Sequence, residues 1–310
     1  MNLTPVIDMF SGTGELARAV SAGLVEPARP VSFSDTYGPA RKYLDHRFPD
    51  AEVCRDFRDQ IVPEGSIVTI GAPCQDLSVA GEHAGADRGS GTRSSLIHEA
   101  LDMACAGGAD LIVAENVPGG HSAYLSLASW LAREHGYRTT VSSAGAWEVG
   151  APHRRERIML VAARRHFEPR RVSVIRQVAP VDLLPTPSVV DRAWGLTPEQ
   201  WAEVKRRYRE RHRNGHGETV SSVLSRDLKD EEIRLLQTWE TTTGVYAPPT
   251  GQTCPFMLWM MGLRPHLPGA LGLSVSAQRR LAGNAVVGLQ ARLMLQRGLA
   301  ATNDTGGILQ

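Results

Sequence analysis

The chain has 310 residues, of which 42% are hydrophobic and 22% charged, and its formal net charge is +1. The length allows one large α/β domain with a smaller appended domain, and the composition excludes a largely disordered chain. The first ten residues, MNLTPVIDMF, lack the basic region and long apolar run of a signal peptide. No segment reaches the run of about 20 apolar residues that a membrane span requires. We therefore expect a soluble protein of the cytoplasm.

Short apolar segments alternate with helical patterns through the first half of the chain. The predicted strands are PVIDMF (5–10), PVSFSD (30–35), SIVTIGAP (66–73), ADLIVAENV (109–117), YRTTVSSAGA and RIMLVAAR. The predicted helices between them are ELARAVSAGL, PARKYLDHRF, RSSLIHEALDMACAG (93–107) and SLASWLAREHG. This alternation predicts an α/β fold in which helices cover both faces of a mostly parallel, Rossmann-like sheet.

The alternation stops near residue 167, and a segment rich in Pro, Arg and polar residues follows to about residue 253. One helix stands out there, with Thr197 as N-cap, Pro198 in the first turn and Gln200 completing a capping box. Its basic run KRRYRERHR is either solvated surface or a patch that contacts phosphates. Apolar character returns near residue 254, and we expect the final helix to pack on the first domain. Residues 301–310 are predicted to be a tail.

The cysteines are Cys54, Cys74, Cys105 and Cys254, with no C-x-x-C pair and no Cys/His cluster at zinc spacing. We therefore predict no metal site. Distant cysteines without a secretion signal are more typical of reduced thiols than of disulfides. Cys74, in GAPCQDLSVAG, is then either a buried packing residue or a nucleophile, and its own sequence context leaves both open.

Several polar residues follow predicted strands, where open α/β sheets bind ligands. The glycines of DMFSGTGE either let the backbone approach a ligand or serve a tight turn. Asp35 and Asp56 each fit a nucleotide-type site or a helix N-cap. Glu115 ends a buried strand, where partial desolvation suits a proton donor, or it is an exposed strand end. Arg155 and Arg157 either hold a carbonyl or phosphate group or cap the sheet.

Five motifs occur in the order DMFSGTGE, GAPCQDLSVAG, ENV, HRRERIMLVA and GNAVV. Together they resemble motifs I, IV, VI, VIII and X of the DNA (cytosine-5) methyltransferase family, of bacterial or phage type. SD (34–35), RDF (55–57) and RSSL (93–96) resemble motifs II, III and V. The resemblance covers about residues 5–163 and 254–298. Ala72, His153 and Ala285 depart from the usual residues of these motifs.

The resemblance implies methyl transfer from S-adenosylmethionine to carbon 5 of cytosine, with S-adenosylhomocysteine as product. Cys74 would add to carbon 6, which turns the ring into a species able to attack the methyl sulfonium. Glu115 would bind ring nitrogen 3 and the exocyclic amine. Arg155 would hold the base carbonyl oxygen, and Arg157 would support the active-site loop.

The same resemblance implies a cofactor site on the sheet. It places Phe10 against the adenine ring, Asp35 at the ribose hydroxyls and Asp56 at the adenine amine. The other residues that it assigns to the cofactor are Ser11, Gly12, Gly14, Phe57, Pro73, Leu96, Asn284 and Val286.

The expected partner is double-stranded DNA, from which the target cytosine is flipped out. Gln75 and Ser78 would contact this DNA. Residues 1–167 become a catalytic and cofactor-binding domain, 168–253 a target-recognition domain, and 254–300 a segment that completes the catalytic domain. The DNA-binding arginines of the insert are predicted to be Arg206, Arg207, Arg209 and Arg211. No obligate protein partner is implied; a cognate restriction endonuclease and a solitary role both fit.

Three functions other than cytosine methylation in DNA fit parts of this sequence. The same chemistry could act on tRNA, although the large basic insert favours DNA. A non-catalytic DNA-binding member of the family would not need Cys74, Glu115 and Arg155. A nucleotide-level enzyme of the thymidylate synthase type also adds a cysteine to carbon 6, but it leaves the cofactor motifs and the basic insert unexplained.

Overall fold

A computed structural model describes residues 3–73, 96–180, 183–188 and 219–304, together with 197, 199, 200, 202–204 and 206. The contacts divide the chain into two compact units. We call Met1–Ala144, Glu156–Ser173 and Val286–Gln310 the sheet unit, and Gly145–Arg155 and Val174–Ala285 the helical unit. Within these described ranges, no helix is long and apolar enough to cross a membrane.

The sheet unit is built on a seven-stranded sheet with the order β3-β2-β1-β4-β5-β7-β6. Its strands are β1 (Thr4–Met9), β2 (Ala28–Ser34), β3 (Glu52–Cys54), β4 (Ile67–Ile70), β5 (Leu111–Asn116), β6 (Arg138–Gly145) and β7 (Glu156–Ala163). The pairs β1–β2, β1–β4, β2–β3 and β4–β5 are parallel, whereas β7 pairs antiparallel with β5. The predicted α/β class with a mostly parallel sheet is therefore confirmed.

The central strands are buried because their side chains are apolar on both faces, as expected for strands covered by helices on each side. Every residue of β4 and β5 is buried. These continuous apolar runs made both strands predictable from sequence. The edge strand β3 was missed because it has only three residues, Glu52–Cys54, and no apolar run.

The helices lie between and after the strands. They are α1 (Glu15–Gly23), α2 (Gly38–Arg47), α3 (Leu96–Ala106), α4 (His121–His135), α5 (Val220–Leu224), α6 (Asp230–Thr243), α7 (Thr253–Met260), α8 (Leu267–Ala270), α9 (Val275–Asn284) and α10 (Gly288–Asp304). The α1–α4 helices and α10 belong to the sheet unit, and α5–α9 belong to the helical unit.

The last helix, α10, packs on α1 and β7, as the sequence predicts for the C-terminal helix. The packing is close: a Cβ placed on Gly298 would lie 2.5 Å from Val161 Cγ2. The helix continues through Asp304, so the predicted tail is wrong for residues 301–304. The reason is burial, because Thr302 is fully buried and the Asn303 side chain donates to the Phe167 carbonyl at 2.9 Å.

The helical unit corrects the prediction of an irregular insert. Thr197 and Gln200 form the predicted capping box, with hydrogen bonds of 2.9 and 3.3 Å between side chain and backbone. However, α5 and α6 were not predicted, because α5 has only five residues and the sequence of α6 is mostly polar. Trp239 of α6 is buried and donates its indole N–H to the Trp259 carbonyl of α7 at 2.9 Å. Residues 254–285, which the sequence analysis assigns with the catalytic domain, group with the helical unit by their contacts.

Candidate active site

The carboxyl ends of the parallel strands bring predicted site residues to one edge of the sheet. Phe10 follows β1, Asp35 follows β2, Asp56 comes shortly after β3, Pro73 comes shortly after β4, and Glu115 lies in the last residues of β5. Cys74, Gln75, Ser78, Arg207, Arg209 and Arg211 lie outside the described residues.

The loop after β1 is held in an unusual conformation. Phe10 has a φ of 59°, which is rare for a bulky residue and marks backbone strain. Gly14 has a φ of 71°, and a Cβ there would lie 2.7 Å from the Phe48 ring, so packing requires glycine. Gly12 also has a positive φ, of 55°, but a Cβ there would meet no atom of the described residues within 4 Å. The Gly12 backbone therefore faces open space that a ligand could use.

Asp35 ties this loop to the end of β2. Its Oδ2 accepts a hydrogen bond from the Gly12 N–H at 2.9 Å, and its Oδ1 accepts one from the Tyr37 N–H at 2.8 Å. Each carboxylate oxygen has a second lone pair available for a further donor. Asp35 can therefore hold the loop and accept a ligand hydroxyl group at the same time.

Two aromatic rings and a second carboxylate lie beside Asp35 along the edge. The rings of Phe10 and Phe57 are 4.8 Å apart between centroids and tilted by 44°. Asp56 caps the 3-10 helix Phe57–Asp59 by accepting from the Arg58 N–H at 3.0 Å. The Arg58 guanidinium also pairs with Asp56 and with Glu99. Sequence analysis missed Arg58, which has no motif of its own.

A buried carboxyl group lies beneath the loop. Asp8 of β1 is 1% exposed, its Oδ1 accepts a hydrogen bond from the Thr69 hydroxyl, and its backbone carbonyl accepts one from the Ser11 hydroxyl at 2.9 Å. The Gln60 side chain also donates to this carbonyl at 3.2 Å. Burial raises the pKa of Asp8 to about 7. Sequence analysis gave Asp8 no role, because nothing in DMFSGTGE distinguishes a buried aspartate from an exposed one.

Glu115 and Arg157 meet because β7 runs antiparallel to β5. The register pairs Glu115 with Met159 and Asn116 with Ile158, so the start of β7 lies at the carboxyl end of β5. Arg157 Nε lies 2.9 Å from Glu115 Oε1, and both side chains are largely buried, at 15% and 11% exposed. The pair thus presents a carboxylate and a guanidinium side by side at the sheet edge.

Arg155 makes different contacts, in the helical unit. It is 5% exposed, and its guanidinium donates to the carbonyls of Gly283 and Ala285 at 3.2 and 2.5 Å. Its backbone N–H donates to Thr186 Oγ1 at 3.1 Å. These contacts support backbone on both sides of Asn284. Among the described residues, it is therefore Arg157, and not Arg155, that lies beside Glu115.

The remaining predicted residues are more dispersed. Leu96 begins α3 and is half-buried, Asn284 ends α9 and is exposed, and Val286 is buried in the sheet unit. Arg206 is exposed and pairs with Glu203 at 2.7 Å. An exposed pair at this helical spacing is worth little stability, so Arg206 can exchange Glu203 for another anion at small cost.

The fold is shared with methyltransferases of known structure. The whole fold is similar to that of the Entamoeba histolytica methyltransferase EhMeth, with a TM-score of 0.56 over 99% of this chain and 100% of that chain at 13% identity. It is also similar to a mutant of Spodoptera frugiperda DNMT2, with a TM-score of 0.53 over 94% and 98% of the two chains at 16% identity.

Sequence comparison gives the family. The family model described as C-5 cytosine-specific DNA methylase matches residues 4–246, and the chain belongs to this family. The chain is 30% identical over 202 residues to type II methyltransferase M2.BsuMI of Bacillus subtilis (strain 168), covering 61% of this chain and 49% of that protein. It is 27% identical over 173 residues to type II methyltransferase M.CviJI of Paramecium bursaria Chlorella virus IL3A, covering 54% and 45%. The chain therefore matches about half the length of these relatives.

Proposed function

We propose that this protein transfers a methyl group from S-adenosylmethionine to carbon 5 of a cytosine in duplex DNA, through a covalent bond between Cys74 and carbon 6. The observation that carries the proposal is the Glu115–Arg157 pair at the carboxyl edge of the sheet, in a chain of the C-5 cytosine-specific DNA methylase family.

The pair matches one edge of a cytosine ring. Ring nitrogen 3 needs a proton donor and the exocyclic amine needs an acceptor. The carboxyl group of Glu115 can supply both. The adjacent carbonyl oxygen needs a cation or N–H donor, which the planar guanidinium of Arg157 supplies. We therefore assign the base carbonyl to Arg157 rather than to Arg155. Arg155 instead holds the backbone around Asn284 through its bonds to Gly283 and Ala285.

The residues at the ends of β1–β3 fit an adenosyl group. Partly buried Phe10 would offer aromatic surface, with the buried Phe57 ring packed behind it. Asp35 keeps lone pairs for ribose hydroxyls, and Asp56 would accept from the adenine amine. The open space at Gly12 would admit the amino-acid part. S-adenosylmethionine, when bound, supplies an electrophilic methyl group on sulfur. The other residues that we propose around it are Ser11, Gly14, Pro73, Leu96, Asn284 and Val286.

The protein's side chains then handle charge and protons around the base. The Cys74 thiolate would add to carbon 6, while Glu115 offsets the charge that builds at nitrogen 3. After carbon 5 is methylated, its proton is lost and the Cys74 sulfur leaves, which restores the aromatic ring. Keeping Glu115 and Arg157 in a largely dry site strengthens their effect on this charge.

We propose the helical unit as the target-recognition part and double-stranded DNA as the partner. Arg206, Arg207, Arg209 and Arg211 would contact phosphates, while Gln75 and Ser78 would approach the flipped base. Two relatives are type II methyltransferases by name, which favours a role beside a restriction endonuclease.

Nucleoside mass spectrometry tests the proposal. Purified protein is incubated with S-adenosylmethionine and, in parallel, with unmethylated duplex DNA of diverse sequence or with bulk tRNA. We expect 5-methyldeoxycytidine in the DNA sample. A signal in tRNA alone would overturn the DNA assignment while keeping the chemistry. No methylation in either sample, with the cofactor shown to bind, would refute the proposed function.

A further inference from the structure

Tyr124 bonds to the end of β5, where Glu115 lies. It belongs to α4 and is fully buried. Its hydroxyl donates to the backbone carbonyl of Glu115 at 3.2 Å and accepts from the side-chain amide of Asn116 at 3.1 Å. Asn116 Oδ1 in turn accepts from the Val117 N–H at 2.8 Å.

These bonds form a closed network around the end of β5. The phenol connects the backbone of Glu115 to the side chain of the next residue, and that side chain connects to the backbone of Val117. None of these bonds uses the Glu115 carboxylate, which lies beside Arg157 instead. The network therefore constrains the backbone from which the carboxylate projects while leaving the carboxylate available to a ligand.

We propose that Tyr124 is a positioning residue that sets the orientation of Glu115 toward the target base. The inference rests on the proposed function and deepens it, because it names a residue that acts through Glu115 without touching the substrate. A buried tyrosine needs partners for its hydroxyl, and here the Glu115 carbonyl and the Asn116 amide, at the end of the strand that presents the carboxylate, both bond to it.

The chain offers a matched control, a buried tyrosine whose hydroxyl bonds near the other end of β5. Tyr137 is 2% exposed, and its hydroxyl donates to the Ala109 carbonyl at 2.6 Å, just before the start of β5. Tyr124→Phe and Tyr137→Phe each remove one buried hydroxyl that bonds to a backbone carbonyl. Because the two variants lose the same kind of hydrogen bond, their losses of stability should be similar. They differ in which end of β5 they affect.

The experiment compares wild type and both variants in single-turnover methylation of unmethylated duplex DNA, together with cofactor affinity and melting temperature. Tyr124→Phe should lower the methylation rate constant by roughly 10- to 100-fold, because small misplacement of a catalytic group costs rates of this order. Its cofactor affinity should stay within about 2-fold, since none of the residues that we propose around the cofactor belongs to β5 or α4. Tyr137→Phe should keep a methylation rate constant within about 3-fold of wild type. Its melting temperature should fall by about as much as that of Tyr124→Phe.

A second measurement asks whether Tyr124 acts through Glu115. Once the methylated site is mapped, the target cytosine is replaced by 2-pyrimidinone, which lacks the exocyclic amine that Glu115 would bind. The effect of Tyr124→Phe should shrink on this substrate, because part of the interaction it disturbs is already missing. If Tyr124→Phe does not fold, Asn116→Ala removes the other side of the network and should show the same loss of rate.

The outcomes separate the two proposals. A wild-type protein that methylates neither DNA nor tRNA refutes the proposed function, and the positioning role with it, before any variant is considered. An active wild type whose rate is unchanged by Tyr124→Phe overturns the positioning role alone. An equal loss of methylation rate in Tyr124→Phe and Tyr137→Phe would show that Tyr124 is only a structural residue. The same conclusion follows if Tyr124→Phe lowers the rate on 2-pyrimidinone as much as on cytosine.

Discussion

Replacing Asp8 by Asn should change how the stability of the protein depends on pH. Asp8 is fully buried, and burial raises the pKa of its carboxyl group from 3.8 to about 7. Asp35 raises this pKa further, whereas the hydrogen bonds of Thr69 and Ser11 lower it. The folded protein therefore keeps the proton on Asp8 over a pH range in which the unfolded chain has already lost it.

The sign and size follow from proton linkage. Below pH 3.8 the carboxyl group is protonated in both states, so its contribution to stability is fully present. As the pH rises toward 7, the unfolded state ionises more easily, and the contribution is lost. The loss is about 2 kcal/mol at pH 5 and about 4 kcal/mol at pH 8, at about 1.4 kcal/mol for each unit of pKa difference. Asn cannot ionise, and its side-chain oxygen can still accept from Thr69, so Asp8→Asn should avoid this loss.

Urea unfolding of both proteins at pH 5 and pH 8 measures the effect. Circular dichroism and fluorescence must give coincident curves before a free energy of unfolding is derived, because the chain has two compact units. The advantage of Asp8→Asn over wild type should grow by roughly 2–3 kcal/mol from pH 5 to pH 8. Asp50→Asn, which changes an exposed carboxyl group, is the control and should show no such growth. An Asp8→Asn difference that stays constant within about 0.5 kcal/mol would refute a carboxyl group that keeps its proton through burial.

Three other changes test the site and the proposed function. Gly14→Ala should lower the free energy of unfolding by about 2–4 kcal/mol, because of its positive φ and the overlap with the Phe48 ring. Gly12→Ala should lower it by only about 1–2 kcal/mol but should weaken S-adenosylmethionine binding. Calorimetry that finds equal affinity for wild type and Gly12→Ala would contradict the proposal that the cofactor uses the space at Gly12. Cys74→Ser should abolish methyl transfer and leave cofactor binding nearly intact, and robust turnover by this variant would remove Cys74 from the mechanism. Replacing four insert arginines by Gln should weaken DNA binding and flatten its salt dependence, and an unchanged slope would assign them to solvated surface; they are Arg206, Arg207, Arg209 and Arg211.

The sheet could be predicted from sequence wherever burial leaves a continuous apolar run. The segments IVTI of β4 and LIVA of β5 show this, because strands covered on both faces are apolar at most positions. The edge strand β3 escapes the same reasoning because a short strand at a sheet edge needs few apolar residues. In the helical unit, α6 escapes because charged and polar residues occupy most of its positions, although Leu235, Leu236 and Trp239 are buried.

The candidate site was predictable as a set of residues but not as a set of contacts. Glu115 and Arg157 are far apart in sequence, and their meeting depends on the reversed direction of β7. An all-parallel sheet would have put the start of β7 at the opposite edge. No local sequence pattern indicates that β7 runs antiparallel, so the contact between Glu115 and Arg157 could not be predicted from the motifs.

Backbone strain supplies a criterion for site residues that sequence patterns lack. Across the part of the chain that the structure describes, the non-glycine residues with positive φ are Phe10 and Arg155. Such a conformation costs roughly 1–3 kcal/mol and persists where the surroundings enforce it. Around Phe10 they do so through the bonds that hold the next residues, from Ser11 to the Ser34 carbonyl and from Gly12 to Asp35. Arg155 is held by carbonyls on both sides of Asn284. Both strained residues belong to motifs that the family resemblance assigns to the site, so backbone conformation and sequence motifs indicate the same two places.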